Sequence, residues 1–299
     1  MKYRIITLSA LFTAVSQHPI DCGWFAWFSL IPLVHFLYKS QTFKDKLYIS
    51  ILWGIVYHSS VLYWMIFNLG TTKFLGSISL VLATIVLSVN IILIAFLYHL
   101  ISKNKTIKTF YWLPTIWVSV EYLRTFLILG FPWVSIANSQ VHYNILAQNV
   151  EITGIYGISF WVLMINALLY DLYYNINNKK IIRLVIVFIV PWISGYILYF
   201  AQKNDNLDGL NIVSVQPNIH LDEKRKPKYL NQNIEKMVQI SQSAINEKTD
   251  VVLFPETALS IMHLYNKTSL SLIKEIILDD NISLLSGLNY FEYNSENLR

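Results

Sequence analysis

Seven apolar stretches dominate residues 1–202, at about 5–17, 20–38, 47–67, 75–101, 110–129, 152–174 and 181–200. A helix needs roughly 20 apolar residues to cross the hydrocarbon core, and backbone in lipid must satisfy its own hydrogen bonds. Most of these stretches therefore read as membrane helices. The first two are interrupted by Gln17-His18-Pro19 and Asp21, and they read either as two spans or as one re-entrant hairpin. Composition agrees: 55% of the 299 residues are hydrophobic and 14% are charged. Soluble chains carry roughly a quarter charged residues. Lys2 and Arg4 before Ile5–Val15 resemble a signal peptide, but no small-x-small cleavage site follows, so the reading is a retained span.

Basic residues give an independent check on these segments. Lys2 and Arg4 precede the first stretch, and no Lys or Arg follows it. Lys39, Lys44 and Lys46 follow the second, and only Lys73 follows the third. Lys103, Lys105 and Lys108 follow the fourth, none lies in 130–150, and Lys179, Lys180 and Arg183 follow the sixth. Basic loops stay cytoplasmic, so the alternation predicts seven spans with a cytoplasmic N-terminus and the segment after Phe200 on the far side. Residues 1–202 hold 13 Lys and Arg against 5 Asp and Glu, whereas 203–299 hold 10 against 13. The net charge of +5 thus belongs to the membrane half and argues against nucleic-acid binding. Cys22 is the single cysteine, which excludes an intrachain disulfide and reads as a small hydrophobe near the outer end of span two.

Charges inside spans are costly and face protein or water. Glu121 and Arg124, at i,i+3, share a helix face and can pair. Two roles stay open for them: an ion pair that fixes helix packing, or orientation of lipid headgroups. Trp133, in Gly130-Phe131-Pro132-Trp133, suits the headgroup level. Gly154-Ile155-Tyr156-Gly157 carries a small-residue spacing that lets helices approach closely, and Glu151 and Asp171 read as interfacial.

Polarity changes at Gln202-Lys203-Asn204-Asp205-Asn206, which divides the chain into 1–202 and 203–299. Beyond it, Leu210–Val215, Asp250–Phe254 and Ile282–Leu288 read as strands, and Tyr229–Asn246 and Ser269–Leu278 as helices. The face of the first helix is expected to carry Ile234, Val238, Ile240, Ala244 and Ile245. Alternating strands and helices imply an α/β layer with parallel pairing. Val251-Val252-Leu253-Phe254-Pro255-Glu256-Thr257-Ala258 places a carboxylate where a buried strand stops, the usual position of functional groups in open α/β sheets. A Glu leaving a buried element is a candidate general base; an arbitrary loop Glu is solvated surface. Lys267 and Lys274 read as surface charge.

These residues resemble the bacterial apolipoprotein N-acyltransferases, membrane members of the nitrilase (carbon–nitrogen hydrolase) superfamily. The resemblance rests on Val251–Ser260, on Val213-Ser214-Val215-Gln216-Pro217-Asn218-Ile219, and in the membrane half on Glu121-Tyr122-Leu123-Arg124, Gly130-Phe131-Pro132-Trp133, Ser139-Gln140 and Gly154-Ile155-Tyr156-Gly157. It implies a membrane α-helical bundle of about seven spans over 1–202. After it comes a partial α/β nitrilase-like domain over 203–299, the first part of an αββα sandwich. It further implies a multi-pass protein of the bacterial inner membrane, with 203–299 periplasmic. No metal and no cofactor are called for.

The implied chemistry moves an acyl chain from a phospholipid donor to the N-terminal diacylglyceryl-cysteine of an apolipoprotein acceptor through a thioester on the enzyme. A Cys thiolate is the nucleophile, a Glu the base and a Lys the oxyanion stabiliser. Glu256 matches the base. The family's Lys and Cys have no counterpart here, so the chain is expected to be an amino-terminal portion that does not transfer acyl groups alone. A separately encoded C-terminal fragment is then a candidate partner. Where the family carries a Lys-Trp pair after the Asn-Ile turn, this chain has Lys224 and Arg225 as candidate substrate-positioning residues. An incomplete sandwich leaves a sheet edge and face uncovered, so residues 203–299 alone are expected to be marginally stable or prone to aggregate. The alternatives are a non-catalytic membrane remnant or a lipid- or lipoprotein-binding subunit. A transporter with a soluble cap is a third, but the spans show no internal repeat.

Overall fold

Thr42 and Thr72 set the starts of the two most closely packed helices by accepting hydrogen bonds from the Asp45 and Leu75 amides. In the computed structural model these helices, α4 (Phe43–Leu62) and α5 (Lys73–Ile101), lie against one another, with α1 (Lys2–Val15) on α4. The structure describes residues 1–103, 108–126, 132–203, 209–224, 226–256, 258–260, 267–276 and 282–289. The chain divides into two compact units, Met1–Asp205 and Asn206–Arg299.

In the first unit, α2 (Ala26–Ser29), α3 (Ile31–Lys39), α6 (Leu113–Arg124), α7 (Asn144–Ala147), α8 (Val150–Tyr174) and α9 (Asn178–Lys203) complete the bundle. Among the described residues, four segments are long and apolar enough to cross a membrane: Phe43–Phe67, Lys73–Ile101, Val150–Tyr174 and Asn178–Ala201. The other three expected stretches look different. Helix α1 is 14 residues, about 21 Å of rise. Helix α6 has 12 residues, and 127–129 of its expected span lie outside the described residues.

The stretch 20–38 is not continuous. It breaks into a 3-10 turn at Gly23–Phe25, then α2, then α3. Asn166 of α8 sits in the break: its Nδ2 donates to Ala26 O at 2.7 Å and its Oδ1 accepts from Leu30 N at 3.0 Å. Those two backbone groups would bond each other in an unbroken helix, so the amide replaces the missing i→i+4 bond. Ser9 Oγ donates to Ser29 O at 2.6 Å, and Thr13 Oγ1 lies 2.8 Å from Ser29 Oγ, which ties α1 to this broken segment.

A second interruption is handled in the same way. Pro191 lies inside α9 and has no N–H, so Val187 O loses its helical donor. The Trp161 indole Nε1 of α8 donates to Val187 O at 2.7 Å instead. Gly154 departs from the expected small-residue contact. It has φ +61 and breaks α8 near its start, a conformation open to glycine for want of a Cβ. Close backbone approaches in this unit occur elsewhere, at Gly195 and Gly23, where a Cβ would lie 1.9 Å from Ile145 O and 2.1 Å from Ser139 O. The core gathers Ile49, Trp53, Tyr57, Leu87, Ile91, Ile94 and Tyr98, with Trp53 stacked on Tyr57 at 4.7 Å.

In the second unit β1 (Ile212–Ser214), β2 (Val251–Leu253) and β4 (Ser283–Leu285) form a parallel sheet in the order β1-β2-β4, with Val213, Val252 and Leu284 in register. A second parallel pair joins β3 (Leu259–Ser260) to β5 (Leu288–Asn289). The expected single strand 282–288 is thus two short ones, separated at Ser286-Gly287. Short α10 (Leu221–Lys224) precedes α11 (Leu230–Ala244), and α12 (Lys267–Ile276) packs on α11. Burial on α11 falls on Ile234, Met237, Val238 and Ser241; Ala244, expected on this face, is exposed. Val252, Phe254, Ile273 and Ile282 complete that core, while Ile212 and Leu285 on the edge strands are exposed.

Candidate functional site

Parallel register brings the carboxyl ends of β1 and β2 side by side. Val215 N donates to Leu253 O at 2.9 Å, and Phe254 N donates to Leu285 O at 2.9 Å, so the ladder runs one residue past each strand. Both chains then leave the sheet together. Pro217 is buried under the first loop, and Asn218 takes φ +48, a left-handed conformation that Asn tolerates better than most residues. Pro255 cannot donate to the ladder, which ends the second strand. Ala258 N reaches back to Pro255 O at 3.2 Å and closes a tight turn around Glu256.

The result is a crevice of about 180 Å³ lined by Gln216, Asn218, Lys224, Asn233, Pro255 and Ala258, among others. Glu256 stands at this end of the sheet and is exposed, so the strand that delivers it is buried but the carboxylate is not. Lys224 comes from the end of α10, and its Nζ donates to Glu256 O at 3.4 Å, on the backbone carbonyl and not the carboxylate. The crevice therefore joins an ammonium group and three amide side chains, and the solvent-accessible Glu256 carboxylate stands beside it rather than in its lining. It can hold a small polar group and accept a proton. It holds no thiol, since the single cysteine, Cys22, belongs to the first unit and is half-buried there. Arg225 lies outside the described residues. Lys267 and Lys274 are exposed on α12.

The other candidates fall in the first unit. Glu121 is buried, and both of its oxygens are occupied: Oε1 accepts from Trp117 Nε1 at 3.2 Å and from Ile136 N at 3.0 Å, and Oε2 accepts from Ser135 Oγ at 3.0 Å. Ser159 Oγ lies 3.0 Å from Ser135 Oγ and accepts from Ala137 N at 3.0 Å. Gln17 Nε2 donates to Ser135 O at 3.2 Å. The carboxylate thus pins the loop after α6 to the bundle. It makes no ion pair with Arg124 within 4.0 Å, contrary to the pairing that the i,i+3 spacing allows. Three neutral donors from the loop and from Trp117 hold it instead. Arg124 is also buried, and its Nε makes no hydrogen bond.

Trp133 is 59% exposed and stacks at a tilt on Trp64 at 5.5 Å. Both line a cavity of about 570 Å³ together with Gln17, Val61, Leu62 and Asn138. Gly130 and Phe131 of the same motif lie outside the described residues. Gln140 receives Trp27 Nε1 at 2.9 Å and donates to Gly23 O at 2.9 Å. Sequence reasoning missed Gln17, Ser135, Ser159 and Asn166 as parts of this scaffold. The available signal was their polarity within apolar stretches, where an unpaired polar group is costly. Asp171, read as interfacial, is buried: Lys108 Nζ lies 2.6 Å and Lys180 Nζ 3.2 Å from its Oδ1, and Tyr111 donates to Oδ2 at 2.9 Å.

Fold and site together define a polytopic helical membrane protein that carries a parallel α/β unit with a carboxylate at its strand ends. Residues 9–168 match the sequence profile described as the apolipoprotein N-acyltransferase N-terminal domain, and the chain belongs to that family. The apolipoprotein N-acyltransferase of Pasteurella multocida (strain Pm70) is 27% identical over 271 residues, 87% of this chain and 51% of the relative. That of Geobacter metallireducens is 22% identical over 312 aligned positions, 99% of this chain and 59% of the relative. That of Chlorobaculum tepidum is 25% identical, covering 88% of this chain and 50% of the relative. The chain spans about half the length of the curated relatives it matches.

Proposed function

We propose that this chain supplies the membrane half and the general base of an apolipoprotein N-acyltransferase. The reaction moves an acyl group from a phospholipid to the α-amino group of a diacylglyceryl-cysteine. Glu256 takes the proton of a cysteine thiol as its sulfur attacks the ester carbonyl, then returns it to the departing lysophospholipid oxygen. The thioester so formed is attacked by the lipoprotein amine, giving the amide and releasing the thiol, with Glu256 again carrying the proton. Thiol and oxyanion-stabilising ammonium come from sequence beyond these 299 residues, in the same polypeptide or in a separate fragment. Lys224 and Arg225 position the substrate, Arg124 and Trp133 orient lipid headgroups in the membrane unit, and Glu121 holds the loop after α6. This reading has seven membrane segments with a cytoplasmic N-terminus in the inner membrane, a 1–202 membrane domain, and 203–299 as the periplasmic first part of a nitrilase-like sandwich.

The observation that carries this reading is Glu256, directly after the central strand β2, at the strand-end crevice where open α/β sheets bind ligands. General acid–base catalysis contributes about a hundred- to ten-thousand-fold. Glu256→Gln in the natural protein is therefore expected to lower N-acylation of a diacylated lipoprotein by at least about a hundredfold, read by mass spectrometry of the lipoprotein N-terminus. Acylation by this variant at the unaltered rate overturns the assignment. The alternative reading is a lipid- or lipoprotein-binding subunit. Under that reading Glu256→Gln leaves lipoprotein binding intact and no acylation accompanies it in either form.

A further inference from the structure

At the end of the bundle where α8 hands over to α9, two lysines share one carboxylate. Asp171 holds Lys108 and Lys180, and Lys180 Nζ also donates to Asp171 O and Asn175 O, each at 3.0 Å. Tyr111 bridges outward from this knot: its hydroxyl is bonded to Asp171, and its ring lines a cavity of about 440 Å³ shared with Arg183. Arg183 is exposed and makes no ion pair with a carboxylate among the described residues. The local balance of Lys108, Lys180, Arg183 and Asp171 is therefore net positive by two, beside the cavity.

The cavity itself is apolar. Its wall runs along Leu168, Met164, Trp161 and Phe160 of α8, which recur at helical spacing, and Val187 of α9, one turn beyond Arg183. Leu168 to Phe160 is about 12 Å of helix rise, so the groove extends well into the hydrocarbon layer from its charged rim. The wall is fixed by the Trp161 Nε1 to Val187 O bond at 2.7 Å, which ties both helices together beside Pro191. The volume is that of a typical ligand pocket. Helix α9 is otherwise the least buried of the four long apolar segments, so lipid has direct access to this cleft.

We propose that this groove is a binding site for one anionic phospholipid of the surrounding leaflet, its phosphate on Arg183 and the Lys108–Lys180 pair and one acyl chain along Met164 and Val187. A positive rim over an apolar cleft at a helix end matches such a lipid in both of its parts, and basic pockets between membrane helices select anionic headgroups. The site is separate from the 570 Å³ cavity, whose lining residues Gln17 and Leu62 lie at the other ends of α1 and α4 from the lysine-bearing loops. It does not depend on the proposed acyl transfer.

The test is native mass spectrometry of the full chain, purified in detergent and delipidated, with phosphatidylglycerol or phosphatidylcholine of the same acyl chains added. One phosphatidylglycerol per chain is expected, retained at least tenfold better than phosphatidylcholine. Arg183→Gln should remove that preference. Met164→Trp, which fills the groove without changing charge, should lower retention of both lipids. Lys39→Gln is the control for general surface charge, since Lys39 sits over the Tyr174 ring at the same end of the bundle but outside the groove. Equal retention of the two lipids overturns the proposal. So does an unchanged preference in Arg183→Gln, an equal loss in Lys39→Gln, or a lipid-free dimer in place of the adduct. If Arg183→Gln does not yield a monodisperse protein, the Met164→Trp result decides.

Discussion

The two units treat their polar side chains in opposite ways. In the membrane unit Glu121, Asn166 and Asp171 are buried, and each is held by two or more partners from other segments. In the second unit Gln216, Asn218, Lys224 and Glu256 are exposed around a crevice at the strand ends. The difference follows from the solvent. In hydrocarbon no water competes for a polar group, so leaving one untied is costly, and Glu121, Asn166 and Asp171 are tied down in the service of structure. At a strand end facing water the same residue types are free to meet a substrate. A carboxylate within the apolar stretches of this chain is thus a fastener, and one at the end of β2 is available for chemistry.

The strongest way to break this contrast is Glu121→Ala. It leaves Ser135 Oγ, Ile136 N and Trp117 Nε1 without their acceptor, and each orphaned buried donor costs on the order of 1–3 kcal/mol. The detergent-solubilised protein is expected to lose at least about 3 kcal/mol, seen as a lower melting midpoint and poorer membrane insertion. An unchanged midpoint would mean that the loop after α6 is held by something else.

A wider comparison comes from hydrogen exchange on the full chain. Amides of α4 and α5 are expected to exchange slowest. Those of β1 and β4, three-residue strands with Ile212 and Leu285 exposed, should exchange at least about tenfold faster, as sparsely packed elements open locally. Equal protection in both units would erase the difference in packing.

A smaller effect sharpens the role of the indole. Trp161→Phe leaves Val187 O without a donor beside Pro191, and interhelical hydrogen bonds in membranes average about 0.6 kcal/mol, so a loss of about 1 kcal/mol in unfolding free energy is expected. A stabilised variant would contradict the account of Pro191. The least disruptive change is Lys224→Gln. Its melting midpoint should match that of the unaltered protein, because Lys224 is exposed and contacts of exposed charged side chains contribute little to stability. A drop of several degrees would place Lys224 with the fasteners.

Much of the fold is legible in the sequence because its causes are local. The four long apolar segments announce themselves by length. Asp250–Phe254 reads as a strand from its apolar run, and Pro255 marks where that strand must stop. What escapes local reading depends on partners far along the chain. Nothing in 20–38 says that it breaks before Leu30, because the amide that makes the break tolerable is Asn166, on another helix. Glu121 and Arg124 have the spacing of a pair, yet Glu121 turns to Ser135 and Ile136, whose approach depends on how the following loop folds. Gly154 has the look of a packing glycine, but backbone geometry made it a break. In the candidate site, the neighbouring position of the β1 and β2 loops follows from parallel pairing, which strand and helix alternation suggests. That Lys224 would reach the Glu256 carbonyl does not follow from either segment alone.

The most direct measurement sets Glu256→Gln beside Glu121→Ala in the natural protein, scoring thermal midpoint and lipoprotein N-acylation for each. The account predicts a split: Glu256→Gln melts with the unaltered protein and loses acylation by at least about a hundredfold. Glu121→Ala melts lower, and its remaining folded fraction still acylates. A Glu256→Gln variant that acylates normally, or that loses activity only in step with its stability, would contradict the claim that the strand-end carboxylate does chemistry while the membrane carboxylates hold the bundle.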